Sequence, residues 1–469
     1  MPFVRAIFRL CFATSILLAI ATGFVAHGQT TVQWTGGSST AWATTGNWSP
    51  GNVPNSNTEI ATFSSNWTNT SRQPTIGSTS YTLGGIVVKS TAPTALTLAG
   101  TGTLTINTSG WSGTVGIDNQ STGNETINAK LAISNSQTWQ TSNASGGSWT
   151  FGNTIALGSN TLTLSTNNAA STITASKVIS GAGNLVVSGS GTVVVSSANT
   201  YTGTTTINNG ATLRYSGTGG LSASTAVTVN SGGTYDLNGS SDTVASIAGA
   251  GDITLGSATL TAGGTDTTTF SGVISGATGS LIKSGNGSLS LTGANTYGGT
   301  TTLSVGTLDA GNDSAFSSGK LSVNGGTLTS SGGTRTLANT VAIGGNTTIG
   351  GANNLTFSGA VSQSGTARTL SITNTGTTTF SNTFTLAANN QTASVTIDVA
   401  GTSGGAFISG VIQNGTGSGA DSLIKAGAGN LILSGANTYT GTTTITGGTL
   451  ALSGSGVVPG NLVLNGGVL

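Results

Sequence analysis

Beyond Gly28 the sequence contains no Cys, His or Met, because Cys11, His27 and Met1 all precede Gln29. That excludes from the remaining chain a thiolate nucleophile, an imidazole base, a Ser-His-Asp triad, a Cys or His metal centre and any disulfide. Charge is nearly as scarce, with 12 Lys and Arg against 11 Asp and Glu in 469 residues. The cations stand singly from Arg72 to Lys425, so the clustered Lys and Arg that neutralise phosphates are missing and no nucleic-acid partner is expected. Nor is a cofactor or a metal. Pro is rare, at 6 residues, while Gly is abundant, at 76, a pairing foreign to collagen and to Pro-rich linkers. After Gly28 no stretch of ten or more residues shows apolar side chains at helical spacing, which argues against helices.

Residues 1–28 read as an export signal. Arg5 and Arg9 form a basic start, an apolar run extends from Leu10 to Ala26, and Ala26-His27-Gly28 offers a small-x-small cleavage site. Thr14, Ser15, Thr22 and Gly23 interrupt the run, which is short for a membrane span of roughly 20 apolar residues. Cys11 stands at the start of the run rather than after it, the wrong place for lipid attachment. The expected location is therefore the cell surface, the outer membrane or the extracellular space.

What the chain does have is repetition. "LVVSGSGTVVVSSANTYTGTTTINNGATL" from Leu185, "LIKSGNGSLSLTGANTYGGTTTLSVGTL" from Leu281 and "LIKAGAGNLILSGANTYTGTTTITGGTL" from Leu423 share one frame, with the motif asparagines at Asn199, Asn295 and Asn437. Between them run segments such as "TLTLST" from Thr161 and "LSVNGGTL" from Leu321, in which β-branched and apolar residues alternate with period two between Gly, Asn and Ser turns. That is the pattern of short strands with one buried face.

Sandwich domains would need larger cores than the few aromatics after residue 151 can fill, and the aromatic signatures of propeller blades are missing. The leucines also keep a fixed phase around every repeat Tyr, as at Leu289 and Leu291 or Leu431 and Leu433, which a flexible linker has no reason to do. The expected fold is all-β: a right-handed parallel β-helix, or β-solenoid, without helices after the signal. At about 20 residues a coil it would have about 20 coils and a length of roughly 100 Å. In "ANTYTGTTTITGGTL" (436 to 450) Asn and Gly are expected to make the turn. Thr442, Thr444 and Thr446 are expected to form an outward hydroxyl ladder, Ile445 and Leu450 to face the core, and Tyr439 to pack at a coil corner.

The three frames, with "SGVI" ahead of the second and "ISGVI" ahead of the third, resemble the autotransporter-associated β-strand repeat, also called the passenger-associated transport repeat. The resemblance covers most of residues 150 to 469. It implies an exported, surface-associated, right-handed parallel β-helix whose repeats aid outer-membrane translocation and folding outside the cell; it implies no activity. Autotransporters end in a membrane barrel of alternating strands with aromatic girdles, whereas this sequence stops at "NLVLNGGVL", similar to the "LSVNGGTL" of 321 to 328. A fragment is therefore expected, with an outer-membrane translocator as a partner that this chain does not encode.

Residues 29–150 differ from the solenoid expected over 151–469. All seven Trp lie between Trp34 and Trp149, and four of the six Pro fall between Pro50 and Pro93. Trp34, Trp42 and Trp48 could stack on sugar rings, but an apolar cap closing the first coil, continuous with the solenoid, accounts for them better. The acids Asp309, Asp313, Asp236, Asp242 and Asp252 could serve a polysaccharide-degrading site. No Arg or Lys lies within six residues of the Asp309 and Asp313 pair, and the calcium-binding nonapeptide spacing is missing, so no catalytic residue is assigned and no enzyme is expected. The function expected is that of a passenger-like surface scaffold acting as adhesin, spacer or aid to translocation. Surface polysaccharide or host and matrix ligands would be its partners, with a polysaccharide-degrading enzyme or a carbohydrate-binding protein as the alternative.

Overall fold

The computed structural model describes residues 29–110, 113–387, 392–417 and 419–469. The expected export signal, residues 1–28, lies outside them. The described chain is a parallel β-solenoid of about 18 turns, which at about 4.8 Å a turn makes a rod of about 85 Å. No α-helix occurs among the described residues, and single 3-10 turns at Thr45–Asn47 and Thr108–Gly110 are the nearest approach to one. None of them offers a helix long and apolar enough to cross a membrane.

Alternation in sequence becomes alternation of faces. In the strand Leu162–Thr166, Leu162, Leu164 and Thr166 point into the core while Thr163 and Ser165 half-face solvent. Leu185 stacks on Leu162 in register, and Thr205 stacks on Leu185. Within the repeats one coil carries the chain from Leu185 to Thr205, from Leu281 to Thr301 and from Leu423 to Thr443, each the register partner of the other, so the coil length is constant there. Apolar side chains so aligned form one core cluster from Val32 to Leu450.

Each turn visits up to three faces in the same order. The first face carries a 21-stranded sheet from Thr30–Trp34 to Leu462–Leu464. The second carries nine strands from Thr97–Leu98 to Ile274–Ser275, then six from Arg335–Leu337 to Thr449–Leu452. The third carries five strands from Tyr81–Leu83 to Ile179–Ser180, then nine from Asp242–Val244 to Ile412–Gln413. The second and third faces thus break, and the first does not.

At the N-terminal end Trp48–Ser49 pairs antiparallel with Thr30–Trp34, whose other edge pairs parallel with Glu59–Phe63. The short antiparallel strand covers the sheet edge that would otherwise stand open. At the other end the last strand, Leu462–Leu464, stacks on Thr443–Ile445 and leaves Leu464 58% exposed.

Candidate functional site

The candidate acids do not assemble into one site. Asp309 accepts hydrogen bonds from Ser290 Oγ (2.6 Å), Thr329 Oγ1 (2.9 Å) and Ser331 Oγ (2.5 Å). Asp313 instead accepts from the Thr336 backbone N–H at 3.0 Å. Asp236 forms an ion pair with Arg214 at 3.0 Å and accepts from the Asn238 backbone N–H. Asp252 is exposed at the start of its strand, beside Thr234. Among the six acids that sequence reasoning passed over, Asp421 is fully buried, and Asp118 and Glu125 are each 1% exposed inside the N-terminal coils. Burial raises the Asp118 and Glu125 carboxyls above their ordinary range, against the opposing pull of hydrogen bonds such as Ser121 Oγ to Glu125 at 2.5 Å.

Trp34 and Trp42 are fully buried and Trp48 is 3% exposed. Their rings meet edge to face, Trp34 with Trp48 at 5.0 Å and Trp42 with Trp48 at 4.5 Å between centroids, and Phe63, Trp67 and Tyr81 continue the cluster. Trp48 Nε1 donates to the Trp42 carbonyl at 2.8 Å. Trp34 and Trp42 therefore both pack on Trp48 inside the first coil, and all three indoles are buried.

The most regular geometry belongs to the repeated Asn-Thr-Tyr. Each of the three places where a face loses its sheet lies one coil above such a triplet, and the Asn side chain bridges the gap. Asn199 Oδ1 accepts from Ile179 N–H at 2.8 Å, Asn295 Oδ1 from Ile274 N–H at 2.8 Å and Asn437 Oδ1 from Ile412 N–H at 2.9 Å. Their Nδ2 atoms donate one coil further on, to the carbonyls of Gly220 (2.8 Å), Ala315 (2.6 Å) and Val457 (2.8 Å). One amide side chain thus ties three successive coils where strands no longer do. The Asn is more than a turn residue.

The other fixed letters follow from space. Tyr201, Tyr297 and Tyr439 are fully buried, and each hydroxyl meets a Thr four residues on: Thr205 at 2.5 Å, Thr301 at 2.6 Å and Thr443 at 2.5 Å. A Cβ at Gly203, Gly299 or Gly441 would lie within 2.4 Å of a backbone carbonyl of the coil above, so only Gly fits. Gly189, Gly285 and Gly427 turn the chain at φ of 90°, 76° and 74°, a region that L side chains rarely adopt.

The family model of the passenger-associated transport repeat matches residues 185–214, 281–310 and 423–452. The chain carries three passenger-associated transport repeats. No curated relative and no solved structure matches it. With the solenoid, these repeats fit an autotransporter-passenger-like scaffold, and they suggest a structural role and export to the cell surface.

Each transport repeat spans one and a half coils, so that its first strand lies above its third and its second above its fourth. Leu185–Gly189 stacks on Thr205–Ile207, and Thr192–Val195 on Thr212–Tyr215. The copies are not in phase around the axis. The first and third begin on the first face, whereas the second begins on the third face with Ser280–Lys283, which puts Asn295 on a different side of the rod from Asn199 and Asn437.

Two transport-repeat residues were missed from sequence, Lys283 and Lys425, which are 3% and 0% exposed. Lys283 Nζ donates to the carbonyls of Ser284 (2.8 Å) and Gly285 (2.7 Å); Lys425 Nζ donates to Ala426 (2.6 Å), Gly427 (2.9 Å) and Gly447 (3.1 Å). Burial lowers both ammonium groups below their ordinary value. The signal was the alternation in "LIK", which puts Lys on the side of Leu281 or Leu423. The first copy has Val187 there.

Asp242, one of the five candidate acids, lines an open cleft of about 350 Å³. Its Oδ2 takes the Tyr215 hydroxyl, the Tyr235 hydroxyl at 3.2 Å and the Leu221 N–H at 3.0 Å, and its Oδ1 takes the Thr243 N–H at 2.8 Å. Burial first, then charge on their polar neighbours including Asp242, drives Tyr215 and Tyr235 well above the ordinary phenol value, so both stay protonated and donate.

Proposed function

We propose that this chain is an exported passenger that holds itself as a stiff rod at the bacterial surface, serving as spacer or adhesive stalk, and that its transport repeats lock the coil stack as it folds outside the cell. The observation that carries this reading is the same Asn bridge at Ile179, Ile274 and Ile412. A solenoid is stable through contacts between neighbouring coils, and a face that stops pairing is its weakest point. The transport repeat supplies side-chain bonds at that point. The outer-membrane translocator would be a separate partner, and host, matrix or polysaccharide ligands would be met along the rod's faces.

The test is surface display. Fused to a membrane barrel, the wild-type chain should reach the surface and resist protease, whereas the triple variant Asn199→Ala, Asn295→Ala, Asn437→Ala should stall or be digested. Equal display and equal protease resistance of the two would overturn the role given to the repeats. A polysaccharide-degrading activity is the competing reading, and turnover of any polysaccharide by the purified chain would favour it.

A further inference from the structure

The third face has no strand over the coils at Ala198–Tyr201 and Gly220–Leu221, and its sheet starts again at Asp242–Val244. The step between strandless and stranded coils opens the cleft. Leu221 and Ala223 form its upper, apolar wall, and Ser241, Thr243 and Thr261 line it below, with Asp242 between. Thr243 and Thr261 stand in register on adjacent strands, about 4.8 Å apart along the axis. Ser241 Oγ accepts from the Thr259 N–H at 2.9 Å, which leaves its own proton to donate.

Asp242 is held rigidly. Three donors converge on Oδ2 and one on Oδ1, and a carboxylate has about four lone-pair sites over its two oxygens, so Oδ1 retains acceptor capacity. Tyr215 and Tyr235 are fully buried, their rings edge to face at 5.6 Å, and so fix the carboxylate from behind. A preorganised acceptor beside hydroxyls that both donate and accept, with an apolar strip opposite, matches a polyol ring bearing hydroxyls and C–H faces.

We propose that this cleft binds one ring of a neutral sugar, with Asp242 accepting from its hydroxyls and Thr243, Thr261 and Ser241 completing the contacts. An anionic sugar would meet the Asp242 charge. A cation would find a single carboxylate, and no cluster of three or more His, Cys, Asp or Glu exists among the described residues. The chemistry stops at binding, because glycoside hydrolysis uses two carboxyl groups roughly 5 to 9.5 Å apart and no second one lines this cleft. The proposal goes beyond the scaffold reading and stands without it, since the one is read by ligand binding and the other by folding and display.

The experiment is calorimetry and saturation-transfer NMR on the full exported chain, with glucose, galactose, mannose, N-acetylglucosamine, their short oligomers, galacturonate and Ca2+. At least one neutral sugar should bind, and Asp242→Asn should weaken it about tenfold, the equivalent of about 1.4 kcal/mol for one charge-assisted hydrogen bond. Should Asp242→Asn lose its fold, the double variant Thr243→Val, Thr261→Val carries the test, with at least a threefold loss and an unchanged melt. Oligomers binding more tightly than monomers would assign the ring to a polysaccharide chain, and equal binding to a free or terminal sugar; either supports the site. Binding of galacturonate or Ca2+ alone, binding of nothing, or affinity untouched by these variants would overturn it.

Discussion

Asn295 Oδ1 accepts the Ile274 N–H at 2.8 Å while Asn295 Nδ2 donates to the Ala315 carbonyl at 2.6 Å, so a single side chain closes a ladder between two coils that lie on either side of its own. Asn295→Ala would leave both backbone groups without their partner in a buried setting, at about 1 to 3 kcal/mol each. The expected loss is therefore about 3 kcal/mol in urea denaturation, with faster amide exchange at Ile274. Exchange at Ile274 unchanged from wild type would show that the bridge is not what protects that amide.

The buried Tyr439 hydroxyl lies 2.5 Å from Thr443 Oγ1, and ring and hydroxyl can be separated by mutation. Tyr439→Ser removes a buried aromatic ring and should cost about 3 to 5 kcal/mol. Tyr439→Phe keeps the ring and leaves the Thr443 hydroxyl unpaired, for about 1 kcal/mol. Adding Thr443→Val to Tyr439→Phe should recover most of that smaller loss, and a double-mutant cycle with no coupling would refute the pairing.

Much of this fold was legible because period-two alternation and recurring turns leave few architectures open. Ile445 and Leu450 are fully buried as their phase requires, and Tyr439, between the strands Asn430–Leu433 and Thr443–Ile445, has its ring inside. The hydroxyl ladder of Thr442, Thr444 and Thr446 does not form. In register above and below Thr444 stand Ile424 and Val463, and Thr446 Oγ1 bonds the Lys425 carbonyl at 3.2 Å instead. A strand's own sequence gives its faces and not its neighbours, which depend on coil length. The same limit hid the Asn bridges, whose partners lie a whole coil away along the chain, and the Asp242 cluster, to which Leu221 and Tyr215 come from 21 and 27 residues away.

The motif Gly tests the packing account without deleting any hydrogen-bonding group. A Cβ on Gly299 would lie 2.3 Å from Ser280 Oγ and 2.4 Å from the Gly279 carbonyl. Gly299→Ala should force the coils apart and cost about 1 to 3 kcal/mol, although helix and strand propensities alone would favour Ala. A melting temperature equal to or above that of wild type would contradict the close approach.

Five buried tyrosines set the alkaline limit of the rod. Tyr201, Tyr215, Tyr235, Tyr297 and Tyr439 all have phenol values raised, chiefly by burial. The folded chain therefore holds these protons above the ordinary value of about 10, whereas the unfolded chain releases them there. Unfolded chain then binds fewer protons than folded, so stability is complete below about pH 10 and falls as pH climbs beyond it, by about 1.4 kcal/mol per pH unit for each Tyr. The five act in the same direction, which makes the collapse abrupt. In a pH titration tyrosinate absorbance from these residues should appear in step with the loss of β-sheet circular dichroism. Gradual ionisation near pH 10 with the sheet signal intact would mean that these phenols are not sealed in the core.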